Sequence, residues 1–326
     1  MFSAAPVTVS LRCLRALDVA GPTAPGRPPY VSAASGLVRV ADTFYVIPDD
    51  EIHLAQFSTD PAILGTWVKL WSPAGDVLPL AKEERKKVKP DFEAITLLPP
   101  SLIGAPRFLV TPSGSKSNRH LGAIVFLSSG LHSAHADVHA DSHVIRQVDF
   151  SELFAEFRRR LPELNIEGTA VSGNTLKFFN RGNSGVGRNA IIDVELAGFL
   201  TAAEQGAKPP ASLVKSVRFY DLGQLRGVPL GFTDACTSSS GELWALAAAE
   251  MTSDAYRDGP YLGAALMRFD TNGDIAIQQT LECPEKPEGL WITPQAGSRE
   301  FFVVTDNDDT ARPSHLYVGS LPAGTP

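Results

Sequence analysis

Three glutamates recur in the same local setting, each at the start of a β-strand pattern. Glu93 lies in "DFEAIT", Glu167 in "NIEGTA" and Glu288 in "KPEGLW". Three carboxylates brought together in an apolar setting repel one another and must take up protons or a cation. Two hydroxyl residues, Ser35 in "SGLVRV" and Thr233 in "GFTDACT", stand at the matching places of two further copies. Mixed carboxylate and hydroxyl oxygens favour a hard divalent ion, above all Ca²⁺.

These five positions, which we call the anchors, each open a copy of one strand pattern. The copies start near residues 35, 93, 167, 233 and 288, and their strands are rich in β-branched and aromatic residues. Four strands in each of five copies predict an all-β, five-bladed β-propeller that forms a single domain over residues 1–326. The last copy has three strands, so we expect the N-terminal "TVSLRCLRALDV" to complete it and close the ring. Six blades are the alternative, if a long linker hides one.

A propeller explains why residues so far apart should meet. The first strand of every blade lines the central channel, so equivalent positions form one ring around the axis. We therefore predict a Ca²⁺ site made of the five anchors. None of them is Cys or His, which disfavours zinc. The alternative is that the recurrent glutamates only accept backbone hydrogen bonds at strand starts.

Loops between second and third strands should emerge on the anchor face, because two antiparallel steps return the chain to it. Loops on a rigid scaffold commonly carry function, and basic loop residues bind phosphate or carboxylate groups. We predict four substrate-binding cations, two in blade two and two in blade three: Lys116, Arg119, Arg181 and Arg188. We predict two catalytic carboxylates in blade one that orient a water molecule or hold a second ion, Asp49 and Asp50. The alternative is that these residues are solvated hairpin tips.

The order of the anchors resembles a known family. The stretches "SGL", "FEAI", "IEGTA", "GFTDA" and "PEGL" look like the calcium-activated nucleotidase (apyrase) family of five-bladed propellers. This resemblance implies a central Ca²⁺ held by the ring and phosphates held by basic residues of the upper loops. The same motifs also resemble a group of uncharacterised bacterial propellers related to phytase-like esterase domains.

The composition and net charge indicate which partners and which cellular compartment to expect. The net charge of −7 disfavours nucleic acid, which requires a basic surface. The three cysteines (Cys13, Cys236 and Cys283) are odd in number and widely spaced, so no disulfide framework is expected. No apolar run approaches the roughly 18 residues that span a bilayer, so we expect no membrane partner. We expect a cytoplasmic monomer, with the periplasm as the alternative compartment.

Helices and a histidine-rich stretch complete the pattern. "SELFAEFRRRL" predicts a helix with Ser151 as its N-cap, and "LAKEERKKVKP" predicts a solvated helical turn ended by Pro90. The stretch "LHSAHADVHADSH" has histidine spacings that suit a transition metal, but it lies between third and fourth strands, on the face opposite the anchors. A polar insertion is the favoured interpretation of its four histidines, which are His132, His135, His139 and His143.

Two functions fit these residues. The first is a Ca²⁺-dependent hydrolase that acts on a small anionic ester, lactone or phosphate compound. The second is a non-catalytic propeller with a structural axial cation and an upper face that binds a ligand or a protein. No serine-hydrolase elbow, P-loop or dinucleotide-binding fingerprint occurs in the required strand context.

Overall fold

Five small β-sheets form the blades of a propeller, as the repeat predicts, and the alternative of six blades is wrong. The computed structural model describes residues 8–70, 77–100, 105–127, 143–182, 187–252, 259–293, 299–307 and 309–321. The described part opens with two short strands, β1 (Thr8–Ser10) and β2 (Arg12–Ala16). Blade one consists of β3 (Ala34–Val40), β4 (Thr43–Pro48), β5 (His53–Ser58) and β6 (Thr66–Lys69).

The other blades follow along the chain in the same antiparallel order. Blade two consists of β7 (Phe92–Leu98), β8 (Arg107–Pro112), β9 (Leu121–Phe126) and β10 (Val144–Asp149). Blade three consists of β11 (Ile166–Ser172), β12 (Thr175–Asn180), β13 (Ala190–Glu195) and β14 (Val214–Phe219). Blade four consists of the short edge strand β15 (Gln224–Leu225), then β16 (Val228–Thr237), β17 (Leu243–Glu250), β18 (Tyr261–Phe269) and β19 (Ile275–Glu282). Blade five consists of β20 (Lys286–Thr293), β21 (Arg299–Asp306) and β22 (His315–Leu321).

The N-terminal segment closes the ring. Strand β2 pairs antiparallel with β22 and completes blade five, as predicted. The segment is two strands rather than the single one expected, since β1 pairs in parallel with β19 of blade four. Between them, the Leu11 N–H donates to the Glu282 carbonyl at 3.3 Å. One stretch of chain therefore pairs with the outer edges of blades four and five.

Three α-helices lie in the connections that the structure describes: α1 (Lys82–Val88), α2 (Ser151–Arg160) and α3 (Leu196–Glu204). The N-cap prediction for α2 is wrong by one residue, because Ser151 is already helical and Phe150 occupies the cap position. Asp149 supplies the missing acceptor, since its Oδ1 accepts from the Ser151 N–H at 2.8 Å. In the described ranges, the longest helix has ten residues, and none reaches the length and hydropathy of a bilayer span.

The core is divided among the spaces between neighbouring blades. Each of five clusters of buried apolar side chains draws on two adjacent sheets. Between blades two and three, for example, Phe150, Phe154 and Phe157 pack around Phe178. The five innermost strands contact one another in the order β3, β7, β11, β16 and β20, and then β3 again. The fold thus holds the starts of five remote strands at one axis.

Candidate functional site

Every anchor is the extra residue of a β-bulge between the first and second strands of its blade. In blade three, Ile166 pairs with Asn180 and Gly168 pairs with Phe179, which leaves Glu167 without a partner in the ladder. The same irregularity falls at all the other anchors, which are Ser35, Glu93, Thr233 and Glu288. Bulges re-aim a side chain and often lie beside active sites. The anchors are therefore structurally equivalent positions.

In blades one, three and five, the residue after the anchor is a glycine that faces the backbone of the next blade. A Cβ on Gly168 would lie 2.7 Å from the Ala235 nitrogen, and one on Gly289 would lie 3.0 Å from the Leu37 nitrogen. Only a residue without a side chain fits there without a shift of backbone. This close approach explains why a glutamate is followed by a glycine in "NIEGTA" and "KPEGLW".

A cavity of about 150 Å³ opens on the anchor face. This is smaller than the roughly 300–1,000 Å³ of sites for drug-sized ligands, so only the reacting end of a larger molecule would enter it. Eight of its lining residues are acidic: Asp49, Asp50, Asp91, Glu93, Glu167, Glu288, Asp306 and Asp309. Eight are basic: Lys82, Arg85, Lys86, Lys89, Lys116, Arg119, Arg181 and Lys286.

Most of the residues predicted from sequence line this cavity, but three do not. The Thr233 hydroxyl donates to the Pro287 carbonyl at 2.8 Å, and the Ser35 hydroxyl lies 3.5 Å from the Ala33 carbonyl. Arg188 is exposed, and its guanidinium stacks on the Phe219 ring at 4.1 Å. The other predicted residues lie at the cavity: Asp49, Asp50, Glu93, Lys116, Arg119, Glu167, Arg181 and Glu288.

On the side of blades three to five, two cations and three carboxylates form what we call the axial cluster. Arg181 Nη2 lies 2.6 Å from Glu250 Oε2, while its Nη1 lies 3.6 Å from Glu167 Oε1 and 3.8 Å from Glu288 Oε1. Lys286 Nζ lies 3.1 Å from Glu288 Oε1 and 3.2 Å from Glu250 Oε1. All five residues are buried. Two of the three glutamate anchors thus have counter-charges within the protein.

On the side of blades one and two, Lys89 binds two carboxylates. Its Nζ contacts Asp49 Oδ2 and lies 2.8 Å from Asp91 Oδ1. Arg119 Nη1 lies 2.6 Å from Asp91 Oδ2. Burial opposes the charge of Asp91, but Lys89 and Arg119 outweigh it and hold the pKa of Asp91 below its usual value. Asp91 also adopts a left-handed backbone with φ of 61°, a strained conformation that clusters at functional sites.

The surroundings of Glu93 shift its pKa in the direction opposite to that of Asp91. Burial, and then the charges of Asp91, Glu167 and Asp49, raise the pKa of Glu93 well above its usual value. Burial also raises the pKa of Asp49, although Lys89 opposes that rise. Single carboxylate oxygens of Asp49, Asp91 and Glu93 lie within 4.8 Å of one another. Adjacent carboxyl groups with pKa values shifted in opposite directions are typical of acid–base catalysis.

Several residues of the site were not predicted from the sequence, mainly because the stretch around α1 lies at the cavity and not on the solvated surface. The charged stretch around α1 was predicted to be solvated, but Arg85 and Lys89 are buried and line the cavity. Connections from a fourth strand to the next first strand end on the anchor face, just as the loops between second and third strands do. That rule of strand direction was the available signal for Lys89 and Asp91. Glu250, at the end of β17, gave no signal of its own.

The five residues predicted to bind Ca²⁺ do not fit that ion as a set. The hydroxyls of Ser35 and Thr233 face backbone carbonyls, and the carboxylates of Glu167 and Glu288 lie beside Arg181. Within the described ranges, the acidic group compact enough for a metal ion is Asp49, Asp91 and Glu93, and there Lys89 already contacts the two aspartates.

The histidine-rich stretch lies mostly outside the described residues. His132, His135 and His139 fall there, and their role stays a prediction. His143 is described and half-buried, and burial lowers its pKa.

Asp234 occupies, in blade four, the position that glycine holds in blades three and five. Its Oδ2 accepts from the Leu290 N–H at 2.7 Å, and its Oδ1 has no hydrogen-bond partner in the described part of the chain. Burial raises the pKa of Asp234 well above its usual value. The unfolded chain releases this proton near pH 4, whereas the folded chain releases it only at a higher pH. Asp234 therefore lowers stability as pH rises from about 4 towards its folded-state pKa.

Asp234→Asn should remove this pH dependence, because an amide has no proton to lose. We expect a Tm about 2 °C or more above wild type at neutral pH, which corresponds to a gain of about 1 kcal/mol. Thermal melts between pH 5 and pH 8 measure the effect. Asp42→Asn is the control, since the Asp42 side chain is 90% exposed. An Asp234→Asn protein whose Tm falls with pH as steeply as the wild type would contradict the assignment.

Comparison with solved structures gives similar chains that share little sequence with this one. A luciferin-regenerating enzyme is 12% identical over 89% of this chain and 92% of that one, with a TM-score of 0.40. A gluconolactonase from Xanthomonas campestris is 11% identical over 98% of this chain and 99% of that one, with a TM-score of 0.39. A GH43 β-1,3-galactosidase is 7% identical with a TM-score of 0.47, and the chain, 95% covered, spans 60% of its length. Similarity this distant carries no argument about activity.

The sequence itself matches one family. The comparison with curated proteins gives no match. The resemblance to apyrases and to phytase-like domains stays a prediction. The model of a family of unknown function, DUF6929, matches residues 30–321, which include all five anchors. Since this match runs from before the first anchor to the last residue of β22, the chain belongs to the DUF6929 family.

Proposed function

We propose that the protein is a hydrolase that acts in the axial cavity on a small molecule carrying an anionic group. The observation that supports this most is the trio of carboxyl groups at blades one and two. Lys89 and Arg119 contact or neighbour these groups and hold the pKa of Asp91 below its usual value, while burial and nearby negative charge raise the pKa of the neighbouring Glu93. One cavity thus offers a proton donor beside fixed charges.

The contacts that each carboxylate oxygen already makes indicate the role of each residue in the proposed reaction. Both oxygens of Asp91 have partners, which are Lys89, Arg119 and Ser113, so Asp91 serves to position Lys89. Asp49 lines the cavity and has its Oδ2 on Lys89, whose charge favours the ionised carboxylate and opposes the rise in pKa that burial causes, so Asp49 is the proposed general base. A water molecule forms a bond to the electrophilic carbon or phosphorus atom of the substrate and gives one proton to Asp49, while the bond from that atom to the leaving oxygen breaks. Glu93 gives its proton to the departing oxygen, so the charges balance.

Asp50, predicted to be catalytic, takes a positioning role in this proposal. Its Oδ2 lies 3.1 Å from Arg27 and 3.5 Å from Arg85. Both guanidiniums are buried, and Arg85 lines the cavity beside the half-buried Lys86. These contacts leave Asp50 with little freedom to move towards a substrate. They fix Arg85 where it can face an anionic group.

Lys116 is the proposed first contact for that anionic group. It is exposed at the cavity mouth, and burial together with Arg119 lowers its pKa. Lys116→Ala should raise KM about tenfold and leave kcat nearly unchanged, because it removes an attraction that substrate and transition state share equally. Lys215→Ala is the control, since Lys215 is exposed on the outer strand β14. A fall in kcat with unchanged KM would contradict this role.

A turnover panel tests the proposal directly. Phosphate monoesters, nucleotides, lactones and carboxyl esters are each incubated with wild type, Glu93→Gln and Asp49→Asn protein, in EDTA and in Ca²⁺. We expect turnover of at least one class by the wild type and loss of that turnover in both variants. The two metal conditions test the Ca²⁺ dependence predicted from the sequence. No turnover of any class, with saturable binding of an anionic compound, would favour the non-catalytic ligand-binding alternative.

A further inference from the structure

We propose that the axis of this propeller carries its own cations, and that Arg181 and Lys286 take the place that a divalent metal ion would occupy. These two side-chain cations act as counter-ions of the glutamate anchors. This proposal stands independently of the proposed reaction, because its test is a measurement of stability.

Arg181 lies among the carboxylates of three blades. Its guanidinium comes from the loop after β12, reaches across to Glu250 of blade four, and lies within 3.8 Å of both Glu167 and Glu288. It thus contacts carboxylates of blades three, four and five at once, as an axial metal ion would. The Arg181 side chain is 4% exposed, so water screens these contacts very little.

Lys286 supplies the second positive charge of the axial cluster. It begins β20, two residues before the anchor Glu288, and lies about equally far from Glu288 and Glu250. Lysine is rarely buried so fully unless it is paired, and Lys286 is 2% exposed. The axial cluster therefore holds two fixed positive charges. A divalent ion placed among them would meet strong repulsion at close range.

Lys89 repeats the arrangement on the other side of the cavity. Asp49, Asp91 and Glu93 form the compact acidic group, and the Lys89 ammonium contacts both of its aspartates. Lys89 and Arg119 together supply two positive charges to these aspartates, and burial and the neighbouring carboxylates raise the pKa of the third member, Glu93. Both acidic groups of the cavity thus follow one rule, with a lysine or arginine of the chain as counter-ion.

Thermal melts of wild type and Lys286→Ala protein, in EDTA and over a Ca²⁺ titration at constant ionic strength, test this inference. The wild-type Tm should be the same in EDTA and in millimolar Ca²⁺. Lys286→Ala should lower the Tm in EDTA by about 5 °C or more, because it leaves buried carboxylates uncompensated in an emptied space. Added Ca²⁺ should then raise the Tm of this variant saturably, as ligand binding to the folded state requires.

Lys286→Met is the matched control, because methionine keeps most of the volume and removes the charge. It should lose stability like Lys286→Ala and gain nothing from Ca²⁺. A saturable rise of the wild-type Tm with Ca²⁺ would overturn the inference, whether or not the variants fold. A Ca²⁺ response equal in the Ala and Met variants, or absent from a folded Lys286→Ala protein, would also overturn it.

Discussion

Glu93→Gln is expected to lower kcat by about 10²- to 10⁴-fold, the usual contribution of a positioned general acid. Glutamine has the shape of a protonated glutamate and can donate a hydrogen bond, but it cannot release a proton. Glu93 is half-buried, and the loss of water around it, together with the charges of Asp91, Glu167 and Asp49, raises its pKa well above the usual value, so we expect it to carry a proton at neutral pH. The substitution therefore removes the proton transfer while it leaves the charge of the folded protein nearly unchanged.

Stability separates this role from a structural one. A carboxyl with a raised folded-state pKa makes the protein less stable as pH rises from the unfolded-state value towards the folded-state value. Glu93→Gln should thus keep the wild-type Tm in acid and equal or exceed it at neutral pH. Glu152→Gln, on the exposed face of α2, is the control for both measurements. Wild-type kcat in Glu93→Gln would contradict the catalytic role, and a large loss of Tm at neutral pH would show that Glu93 is charged.

Arg181→Met should cost about 3–5 kcal/mol of stability, the range found when one partner of a buried ion pair is removed. The variant would leave Glu167, Glu250 and Glu288 facing the single charge of Lys286 in a buried cluster. Methionine fills most of the volume, so the loss reports charge rather than a cavity. Urea denaturation at neutral pH, with the slope compared between proteins, measures it.

Arg218→Met is the matched control for that loss. Arg218 pairs with Asp274 and lies over the Tyr220 ring, but its side chain is 45% exposed. Exposed ion pairs contribute about 0–1 kcal/mol, so this variant should lose little. Similar losses in the two variants would contradict the view that Arg181 is the principal counter-ion of the anchors.

The repeat could be predicted from sequence because each of its signals is local. Strands alternate apolar and polar residues, turns carry Gly, Asp and Asn, and the bulge recurs as a glutamate followed by a small residue. Contact with the next blade requires that small residue, as at Gly168 and Gly289. The contact between blades is therefore visible in the sequence as a small residue after the glutamate. The glutamate anchors could therefore be predicted to lie at equivalent positions of the repeat.

The ion-pair partners of these glutamates could not be predicted, because no local sequence pattern shows which cations reach which carboxylates. Arg181 follows β12 of blade three, yet its shortest ion pair is with Glu250 of blade four. Lys89 belongs to a charged run around α1 that has the composition of a solvated surface. Its burial depends on how the connection from blade one crosses the anchor face, and no local pattern encodes that path. Sequence shows the carboxylates, but only the fold shows which cations neutralise them.

Infrared difference spectroscopy of wild type against Glu93→Gln tests the proposed proton donor without knowledge of the substrate. The proposal requires that Glu93 hold its proton in the folded protein at neutral pH. We predict that the variant loses one protonated-carboxyl band, with no loss of carboxylate absorption. Loss of a carboxylate band, with the protonated-carboxyl region unchanged, would show that Glu93 is ionised and would contradict the proposed mechanism.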